Sequence, residues 1–441
     1  MANAQSEEQF NISQRAQCTL SSTTPFFKYV QQVLGDSYDP VDNSDGIVNF
    51  GIAENKICED LIMSKIKTLQ GKDESSKLLY YDVNSGNAEL KETGKKFLEN
   101  YFDPLEDIDA GNVVIVSGVT ASLETLAYAV ADRGEYIIVP SPFYFRIEKD
   151  VKERAEVNVL SVPLQYKDDS LPSECIFSSE MLEEAFQNAK KEGKIVKAIL
   201  LSSPNNPSGD VFSREQLLDI LQFAYRNKLH VISNEIYALS VFNLEVKFTS
   251  ILSVPHPDPN MVHVTWGCSK DLGLAGYKFA IQYTRNPKVL AYCLSSAVFT
   301  TVSSIVGFRL KEILNDTDWL NNVFLPTKHC RMLERYNKIC TLLKDHGVKV
   351  HNSAATMFIW IDLTELLPEQ TFEAEDALFL KFLAEKVFIQ PGYQVFNKTP
   401  GMFRMVFTLD EDINEEGVKR MLNVLKSSPR YPHPRGNSTS Y

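Results

Sequence analysis

Residues 112–140 read NVVIVSGVTASLETLAYAVADRGEYIIVP, and this stretch is the clearest sign of the fold class. Apolar runs over 112–118 and 135–140 flank a helical segment over 120–132. Apolar runs that alternate with helices are typical of parallel strands covered on both faces. The stretch therefore predicts one strand–helix–strand unit of an α/β sheet.

The same alternation continues towards the C-terminus. Further buried strands are predicted over 197–203, 230–233 and 262–266, with a helix over 214–227. Because ligands bind beyond the carboxyl ends of the strands in such sheets, we expect functional residues directly after each strand.

After about residue 310 the pattern changes. A helical segment with a break at Pro326, three strands and a final helix are predicted over 319–344, 355–361, 387–390, 402–407 and 414–425. The predicted fold class is therefore α/β, with a large domain whose mostly parallel sheet is covered by helices and a smaller α+β C-terminal domain.

Four regions are expected along the 441 residues, at about 150 residues for each domain. They are an irregular N-terminal arm over 1–46, a large domain over 47–310, a small domain over 311–426 and a flexible tail over 427–441. The tail is rich in Pro, Ser and Gly, which favours mobility at a chain end.

The net charge is −12, from 45 Lys and Arg against 57 Asp and Glu. A surface this acidic repels phosphate backbones and anionic lipid headgroups, so nucleic acids and membranes are not expected partners. Nowhere do about 18 apolar residues run together, so no membrane-spanning helix is predicted. A local pocket for one small anion is compatible with this charge.

The seven cysteines stand at irregular spacing without a Cys-x-x-Cys pair, and the seven histidines are scattered. This pattern is neither a disulfide framework nor a metal site, so no metal is predicted, and it suits a reducing compartment. Residues 1–20 lack a basic head followed by an apolar run, so no secretory signal is expected. The predicted location is the cytoplasm.

Residues with unusual chemistry follow the predicted strands of the large domain. Gly118-Val-Thr-Ala would offer backbone amides and a hydroxyl to an anion, or would be an ordinary helix cap. Tyr144 would stack on a flat ligand or pack in the core. Asn206, within Ser203-Pro-Asn-Asn-Pro-Ser-Gly209, would aim its amide at a ligand or belong to a plain turn.

The stretch Gly267-Cys-Ser-Lys-Asp-Leu-Gly-Leu-Ala-Gly-Tyr-Lys278 contains the residue type best suited to covalent chemistry. Most lysines are solvated surface charges. Lys270, however, leaves a predicted strand between Trp266 and a glycine-rich segment, which favours a desolvated amine with a lowered pKa. Such an amine is able to form a Schiff base.

Seven blocks, in order along the chain, resemble the fold-type I, pyridoxal-phosphate-dependent aminotransferases of class I and II. The similarity extends from about residue 47 to 410 and is greatest to the 1-aminocyclopropane-1-carboxylate (ACC) synthases and the animal ACC-synthase-like proteins. The blocks are Asn49-Phe-Gly-Ile-Ala-Glu-Asn55, Ser117-Gly-Val-Thr-Ala121, Pro140-Ser-Pro-Phe-Tyr144, Pro204-Asn-Asn-Pro-Ser-Gly209, Asn234-Glu-Ile-Tyr237, Ser269-Lys-Asp-Leu-Gly-Leu-Ala-Gly276 and Gly401-Met-Phe-Arg404.

The resemblance implies a cofactor, pyridoxal 5'-phosphate (PLP). Lys270 and Tyr237 would be the catalytic residues, with Lys270 holding the cofactor as a Schiff base. Tyr144 would stack on the pyridine ring, while Asn206 and Tyr237 would bind its phenolic oxygen. The full cofactor-binding set implied is Val119, Thr120, Tyr144, Asn206, Asn234, Tyr237, Ser269, Lys270 and Lys278.

The resemblance also implies how a substrate binds. Arg404 would hold the α-carboxylate of a small amino-acid substrate, because a guanidinium fork suits a planar anion. Glu54 and Asn55 would lie near the substrate on a segment that closes over it. Members of the family are dimers with shared active sites, so a homodimer is implied.

Three positions depart from the family pattern. The family's aspartate facing the pyridine nitrogen is here Asn234, which cannot keep that nitrogen protonated and so weakens the electron sink. Lys278 replaces an arginine and loses the bidentate grip on phosphate, and Gly267 replaces a serine hydroxyl. At a fourth position Asn84 replaces a tyrosine of the ACC synthases, for which Tyr81 is a candidate substitute.

These departures leave two explanations. Either the chain is a PLP-dependent enzyme of a free α-amino acid, tuned from transamination towards elimination or replacement, or it is a degenerate member that binds a metabolite or partner as a dimer. Retention of Lys270, Tyr237 and Arg404 favours the enzyme. The amino acid, and the choice among a keto acid, an eliminated alkene and a cyclopropane as product, stay open.

Overall fold

The structure is a computed structural model that describes residues 12–21, 25–72, 75–166, 175–428 and 430–431. The strands, numbered in chain order, are β1 Val48–Asn49, β2 Val113–Val116, β3 Tyr136–Ser141, β4 Asn158–Pro163, β5 Gln165–Tyr166, β6 Cys175–Ile176, β7 Val196–Ser202, β8 His230–Asn234, β9 Val262–Gly267, β10 Ala280–Thr284, β11 Lys349–Val350, β12 Phe358–Asp362, β13 Val387–Phe388, β14 Gln390–Pro391 and β15 Met402–Val406. The helices are α1 Gln14–Ser21, α2 Pro25–Gly35, α3 Glu59–Lys67, α4 Ala88–Phe102, α5 Val119–Val130, α6 Arg146–Lys152, α7 Ser179–Lys191, α8 Arg214–Arg226, α9 Cys268–Asp271, α10 Pro287–Ser296, α11 Ser304–Asn315, α12 Thr317–Trp319, α13 Leu325–Asp345, α14 Phe372–Ala384 and α15 Glu411–Lys426.

A seven-stranded sheet forms the centre of the molecule, in the order β2–β10–β9–β8–β7–β3–β4. Neighbouring strands from β9 across to β4 run parallel, and β10 runs antiparallel to both β2 and β9. Helices α5, α7, α8 and α10 pack against this sheet. The predicted fold class, a mostly parallel sheet covered by helices, is therefore confirmed.

The central strands are largely apolar because both of their faces are covered. All four residues of β2 and all six of β9 are buried, and β2 is apolar throughout, whereas β9 also buries the polar residues His263 and Thr265. Strand β4, at the sheet edge, is mostly half-buried, and β10 contains the polar residues Gln282 and Thr284. Neither β4 nor β10 was predicted, because polar residues interrupt the apolar residues of each; β10 is nevertheless buried throughout.

The C-terminal part forms a four-stranded antiparallel sheet in the order β11–β12–β15–β14. The strand predicted over 387–390 is split in two, because β13 pairs with β1 while β14 pairs with β15. Helix α13 begins at Leu325 with Pro326 in its first turn, directly after a π-helical turn over Leu320–Phe324. The proposed domain boundaries stay a prediction.

The N-terminal arm was predicted to be irregular, and this is wrong for residues 14–21 and 25–35, which are helical. Helices α1 and α2 occupy much of it. In α2, Val33 is fully buried and the Tyr29 ring contacts the Phe379 ring edge-on at 5.3 Å between centroids. Apolar residues at helical spacing thus give α2 one face that packs on the small domain. Residues 1–11 and 22–24 lie outside the described part.

The flexible tail predicted over 427–441 lies mostly outside the described residues. Its described beginning is ordered against the small domain, since Tyr431 is buried and Arg430 donates a 2.8 Å hydrogen bond to the Leu367 carbonyl. Within the ranges that the structure describes, none of the helices combines the length and apolar character needed to cross a membrane.

Candidate functional site

A cavity of about 590 Å³ opens where strands of the central sheet end. Parallel strands bring their carboxyl ends to one edge of a sheet, so residues far apart in sequence meet there. Nine of the predicted site residues line this cavity: Val119, Thr120, Tyr144, Asn206, Asn234, Tyr237, Ser269, Lys270 and Lys278. Glu54, Asn55 and Arg404 do not belong to its lining, although each contacts or borders a residue that does.

Lys270 lies on α9, one short turn after the end of β9. Its Nζ donates a 2.6 Å hydrogen bond to the Ala53 carbonyl. Burial lowers the pKa of Lys270 to about 8, and the cations of Arg404 and Lys278 act in the same direction while Glu54 opposes them. A substantial fraction of this amine is therefore neutral near physiological pH, as a nucleophile requires.

The N-terminus of α5 faces the cavity beside Gly118. The φ of Gly118 is +100°, and a side chain built on it would meet no described atom within 4 Å. Among the described residues no side chain caps this helix, so the first-turn amides of Val119 and Thr120 are available to an anion. Lys278 lines the same cavity in the left-handed conformation, at φ 50°. Backbone strain of this kind is concentrated at functional sites.

A buried carboxylate that the sequence analysis missed also lines the cavity. Asp150, on α6, accepts a 2.8 Å hydrogen bond from Arg146 and interacts with the Thr120 side chain. Burial raises the pKa of Asp150 to about 6 in spite of these partners. Only the fold brings α6 beside α5, so no local sequence signal identifies this residue.

Gly267 is explained by packing rather than by a missing hydroxyl. A side chain built on it would lie 2.9 Å from Val119 Cγ2 and 3.1 Å from the Phe279 carbonyl oxygen. The first distance is shorter than real Cβ contacts, and the second involves backbone, which yields little. The close approach of α5 and of the backbone before β10 therefore favours glycine here.

Asn206 and Tyr237 form the buried end of the cavity. The Asn206 Nδ2 donates to the Tyr237 hydroxyl at 3.5 Å, and Asn206 Oδ1 accepts a 3.1 Å bond from Arg404. Burial raises the pKa of Tyr237, so its hydroxyl keeps its proton at neutral pH. Tyr144 lines the same end, and burial raises its pKa as well.

Asn234 ends β8 and is buried at the cavity wall. Its Nδ2 donates a 3.3 Å bond to the Ser202 hydroxyl, and its Oδ1 accepts a weaker 3.4 Å bond from the Ile236 amide. An amide nitrogen carries two hydrogens, so one donor remains for a ligand. Ser202 itself was missed, although its place at the end of a predicted strand marked it as a candidate.

Arg404 lies on β15 with 1% of its surface exposed. Its guanidinium stacks 4.4 Å from the centre of the Phe358 ring and donates to Asn206 and to the Gly51 carbonyl. Its Nε has no hydrogen-bond partner within the described residues. Burial lowers the pKa of Arg404 to about 10, which leaves it charged at neutral pH. This arrangement provides a buried cation with a spare donor, suited to a carboxylate.

Residues 51–56 lie across Lys270 and Arg404 and are held there by hydrogen bonds. Asn55 Nδ2 donates a 3.0 Å bond to the Lys270 carbonyl, and the Thr408 hydroxyl donates a 2.9 Å bond to the Glu54 carbonyl. Glu54 and Asn55 line a second cavity of about 310 Å³ with Gly273. The two predicted substrate residues therefore lie next to Lys270 but outside the main cavity.

No group of three or more His, Cys, Asp or Glu side chains in the described part of the chain could hold a metal ion. The cavity combines the Lys270 amine, the protonated Tyr237 hydroxyl and an anion seat, which consists of the Val119 and Thr120 amides with Lys278. Arg404 lies nearby.

Comparisons with known proteins agree with this arrangement. The sequence model of the family described as aminotransferase class I and II matches residues 46–421. The chain is 35% identical over 393 residues to the mouse (Mus musculus) 1-aminocyclopropane-1-carboxylate synthase-like protein 1, covering 89% of this chain and 78% of that protein. It is 34% identical over 395 residues to the human (Homo sapiens) probable inactive 1-aminocyclopropane-1-carboxylate synthase-like protein 2, covering 89% of this chain and 69% of that protein.

A solved structure has the same fold. A Thermus thermophilus aspartate aminotransferase double mutant aligns with a TM-score of 0.75 at 18% identity, covering 94% of this chain and 100% of that chain. At this identity the likeness concerns the arrangement of the chain alone.

Proposed function

This chain belongs to the aminotransferase class I and II family, and we propose that it is a PLP-dependent enzyme acting on a free α-amino acid. PLP is the cofactor of this family. The observation that carries the proposal is the Lys270 amine, with its pKa lowered to about 8, on the wall of a cavity of about 590 Å³. A lysine in this environment is suited to covalent chemistry with a carbonyl compound.

The residues of the cavity fit the cofactor. The uncapped start of α5, with Ser269 and Lys278, would hold the phosphate, and the empty space above Gly118 leaves room for it. Tyr144 would stack on the ring, Asn206 and Tyr237 would bind the ring oxygen, and the spare donor of Asn234 would bind an unprotonated ring nitrogen.

When bound, the cofactor supplies a carbonyl group and a conjugated ring that accepts the electron pair left at the substrate Cα. Arg404 would orient the substrate through its α-carboxylate, because it is a buried cation with a spare Nε donor. Lys270, once free and neutral, would take the proton from Cα as a general base. Tyr237, which keeps its proton, would donate a hydrogen bond to the ring oxygen of the cofactor.

The neutral Asn234 amide bears on which product forms. The Asn234 amide would leave the ring nitrogen of bound PLP without a carboxylate to keep it charged, and the ring would then accept electrons less strongly. Elimination or replacement at Cβ or Cγ, or ring closure, tolerates this loss because a leaving group carries the electrons away. Asn234 therefore supports ACC-synthase-like lyase chemistry over transamination as the main reaction of this enzyme.

We also propose that the enzyme is a homodimer. Tyr80, Tyr81 and Val302 line a groove of about 970 Å³, and three exposed apolar residues stand within three positions of its lining along the chain, namely Leu79, Val298 and Phe299. Exposed apolar patches of this kind mark protein–protein interfaces. Phe299 also lines the main cavity, so a second copy seated on this surface would help to close the site.

The cytoplasm is the location that the thiols favour. The six cysteines whose side chains the structure describes form no disulfide, and Cys330 is exposed. Exposed thiols persist in reducing compartments. A fluorescent fusion with cell fractionation tests this proposal, and enrichment in a secretory fraction would refute it.

The test of the cofactor-dependent function is covalent trapping. Purified protein mixed with PLP and then borohydride should gain the mass of reduced PLP on the peptide that contains Lys270. Lys270→Ala should gain none, while Lys328 and other lysines serve as internal controls. Absence of the modification in wild type with excess PLP would exclude the proposal.

A second candidate is a catalytically silent dimer that binds a metabolite or partner. It is supported by the human relative named probable inactive and by the replacements at Asn234 and Lys278. It predicts no exchange of the α-proton of any common amino acid in deuterated water. Exchange above the rate of Lys270→Ala would refute it.

A further inference from the structure

Asp271, the residue directly after Lys270, is fully buried and fully engaged. Its carboxylate accepts hydrogen bonds from the Ser240 hydroxyl at 2.6 Å, the Trp266 Nε1 at 2.8 Å and the Leu239 amide at 3.0 Å. These donors come from β9 and from the segment after Tyr237. Asp271 therefore ties the turn that contains Lys270 to two separate parts of the large domain.

Lys328, on α13, completes this cluster from a distant part of the chain. Its side chain is fully buried, and its Nζ lies 3.8 Å from Asp271 Oδ1. It donates a 3.0 Å bond to the Asp271 carbonyl and a 3.2 Å bond to the Ser240 hydroxyl. Lys328 thus holds both the backbone and the side chain of the residue next to Lys270.

A buried ion pair contributes little net free energy to the stability of a fold. A buried ion pair loses its hydration, and apolar residues of similar volume often give equal or greater stability. Helix α9, with four residues, is too short to be stable by itself, and Gly273 follows it at φ +68°. The orientation of Lys270 must therefore come from tertiary contacts, and the Asp271–Lys328 cluster supplies several of them next to the contacts with Ala53 and Asn55.

We propose that Asp271 and Lys328 are positioning residues, which fix α9 so that the Lys270 amine points into the cavity. This inference rests on the proposed function, in which Lys270 condenses with the cofactor aldehyde and one water is released. Helix α13 is followed by β11 of the small sheet. Because Lys328 belongs to α13, the cluster also links the orientation of the Lys270 side chain to the position of that helix.

The test compares Lys328→Met and the milder Ser240→Ala with Leu343→Ala. Leu343 is fully buried on the same helix, 15 residues and about 22 Å further along, so its truncation costs stability without touching the cluster. Two quantities are measured besides the thermal midpoint. One is the rate of covalent PLP attachment at saturating PLP, and the other is acetylation of Lys270 by trace acetic anhydride in cofactor-free protein.

We expect Lys328→Met and Ser240→Ala to slow PLP attachment about tenfold or more and to change Lys270 acetylation, while Leu343→Ala changes neither. If the cluster variants lose thermal stability yet attach PLP and acetylate at Lys270 as Leu343→Ala does, the positioning role is wrong. If Lys328→Met fails to fold, Ser240→Ala decides. If wild type attaches no PLP, the proposed function fails, and the acetylation comparison still decides this inference.

Discussion

The protonation of one amine controls the chemistry open to this site. Burial lowers the pKa of Lys270 from 10.5 to about 8, with Arg404 and Lys278 adding to the effect. We expect acetylation of Lys270 in cofactor-free protein to rise with a midpoint near pH 8, against about pH 10.4 for an exposed lysine. Peptide mass spectrometry across a pH series measures the acetylation midpoints of Lys270 and of exposed lysines in one sample.

The direction in which each control variant should shift the acetylation midpoint of Lys270 follows from the charge at position 278. Lys278→Met removes a nearby cation and should raise the midpoint, whereas Lys278→Arg keeps the charge and should leave it near that of wild type. A Lys270 midpoint equal to that of exposed lysines would contradict the prediction. The buried charge also opposes folding below pH 8, and this cost disappears as the pH rises towards 10.5.

Asn234 stands where the resemblance to the family implies an aspartate. Asn234→Asp would place a carboxylate opposite the ring nitrogen, keep that nitrogen charged and stabilise negative charge at Cα. We expect the exchange of the substrate α-proton to accelerate about tenfold to a hundredfold, measured by NMR in deuterated water. Asn234→Ala is the uncharged control and should not accelerate exchange. Equal rates in both variants would show that the charge is not limiting.

Candidate site residues can be predicted from the sequence when they stand in a distinctive local stretch. Lys270 stands in a glycine-rich stretch after a strand, and Arg404 within a recognisable block, so both were predictable. Lys328 was not, because it stands 57 positions from its partner Asp271 in a helix with no unusual composition. Asp150 was missed for the same reason, since only packing brings it to Thr120.

At the scale of elements, the close contact between α5 and the end of β9 makes a testable demand on Gly267. Gly267→Ser should lower the free energy of unfolding by about 1–3 kcal/mol, because the new Cβ meets Val119 and the Phe279 carbonyl. We also expect no gain in PLP affinity, since the backbone must shift to admit the side chain. Urea unfolding and PLP titration measure the two effects.

Two further variants make this prediction specific. Gly276→Ser lies in the same glycine-rich stretch, where an added Cβ meets no described atom within 4 Å, and should be close to neutral. Val119→Ala combined with Gly267→Ser should recover part of the stability, because the shortest contact is removed. A stable Gly267→Ser with tighter PLP binding would contradict the packing explanation.

The strands that could be predicted from the sequence are buried strands that are rich in apolar residues. Strands β2, β7 and β9 are buried throughout or nearly so; β2 and β7 contain apolar runs, whereas His263 and Thr265 interrupt the apolar residues of β9. The break between β13 and β14 was not predictable, because it depends on β1, more than 300 positions away, pairing with only the first of them. Tertiary pairing overrides a continuous local pattern here.

At the scale of the whole molecule, one end of the main cavity is open to solvent. Thr120 and Lys278, at the anion seat, are exposed, whereas Asn206 and Tyr237, at the other end, are buried. Phe299 has 78% of its surface exposed at the border of the cavity. An enzyme that excludes water from its chemistry gains from closing such an opening, and a second copy of the chain would close it.

The proposed homodimer gives the last prediction. Tyr81→Glu combined with Phe299→Glu places charges on the exposed apolar surface and should convert dimer to monomer in sedimentation velocity across a concentration series. Leu244→Glu is the matched control, because Leu244 is 87% exposed on another part of the surface and should leave the dimer intact. The monomer should also lose PLP faster on dilution, since Phe299 borders the cavity. A wild-type monomer, or a double variant that stays dimeric with unchanged PLP retention, would exclude this surface as the interface.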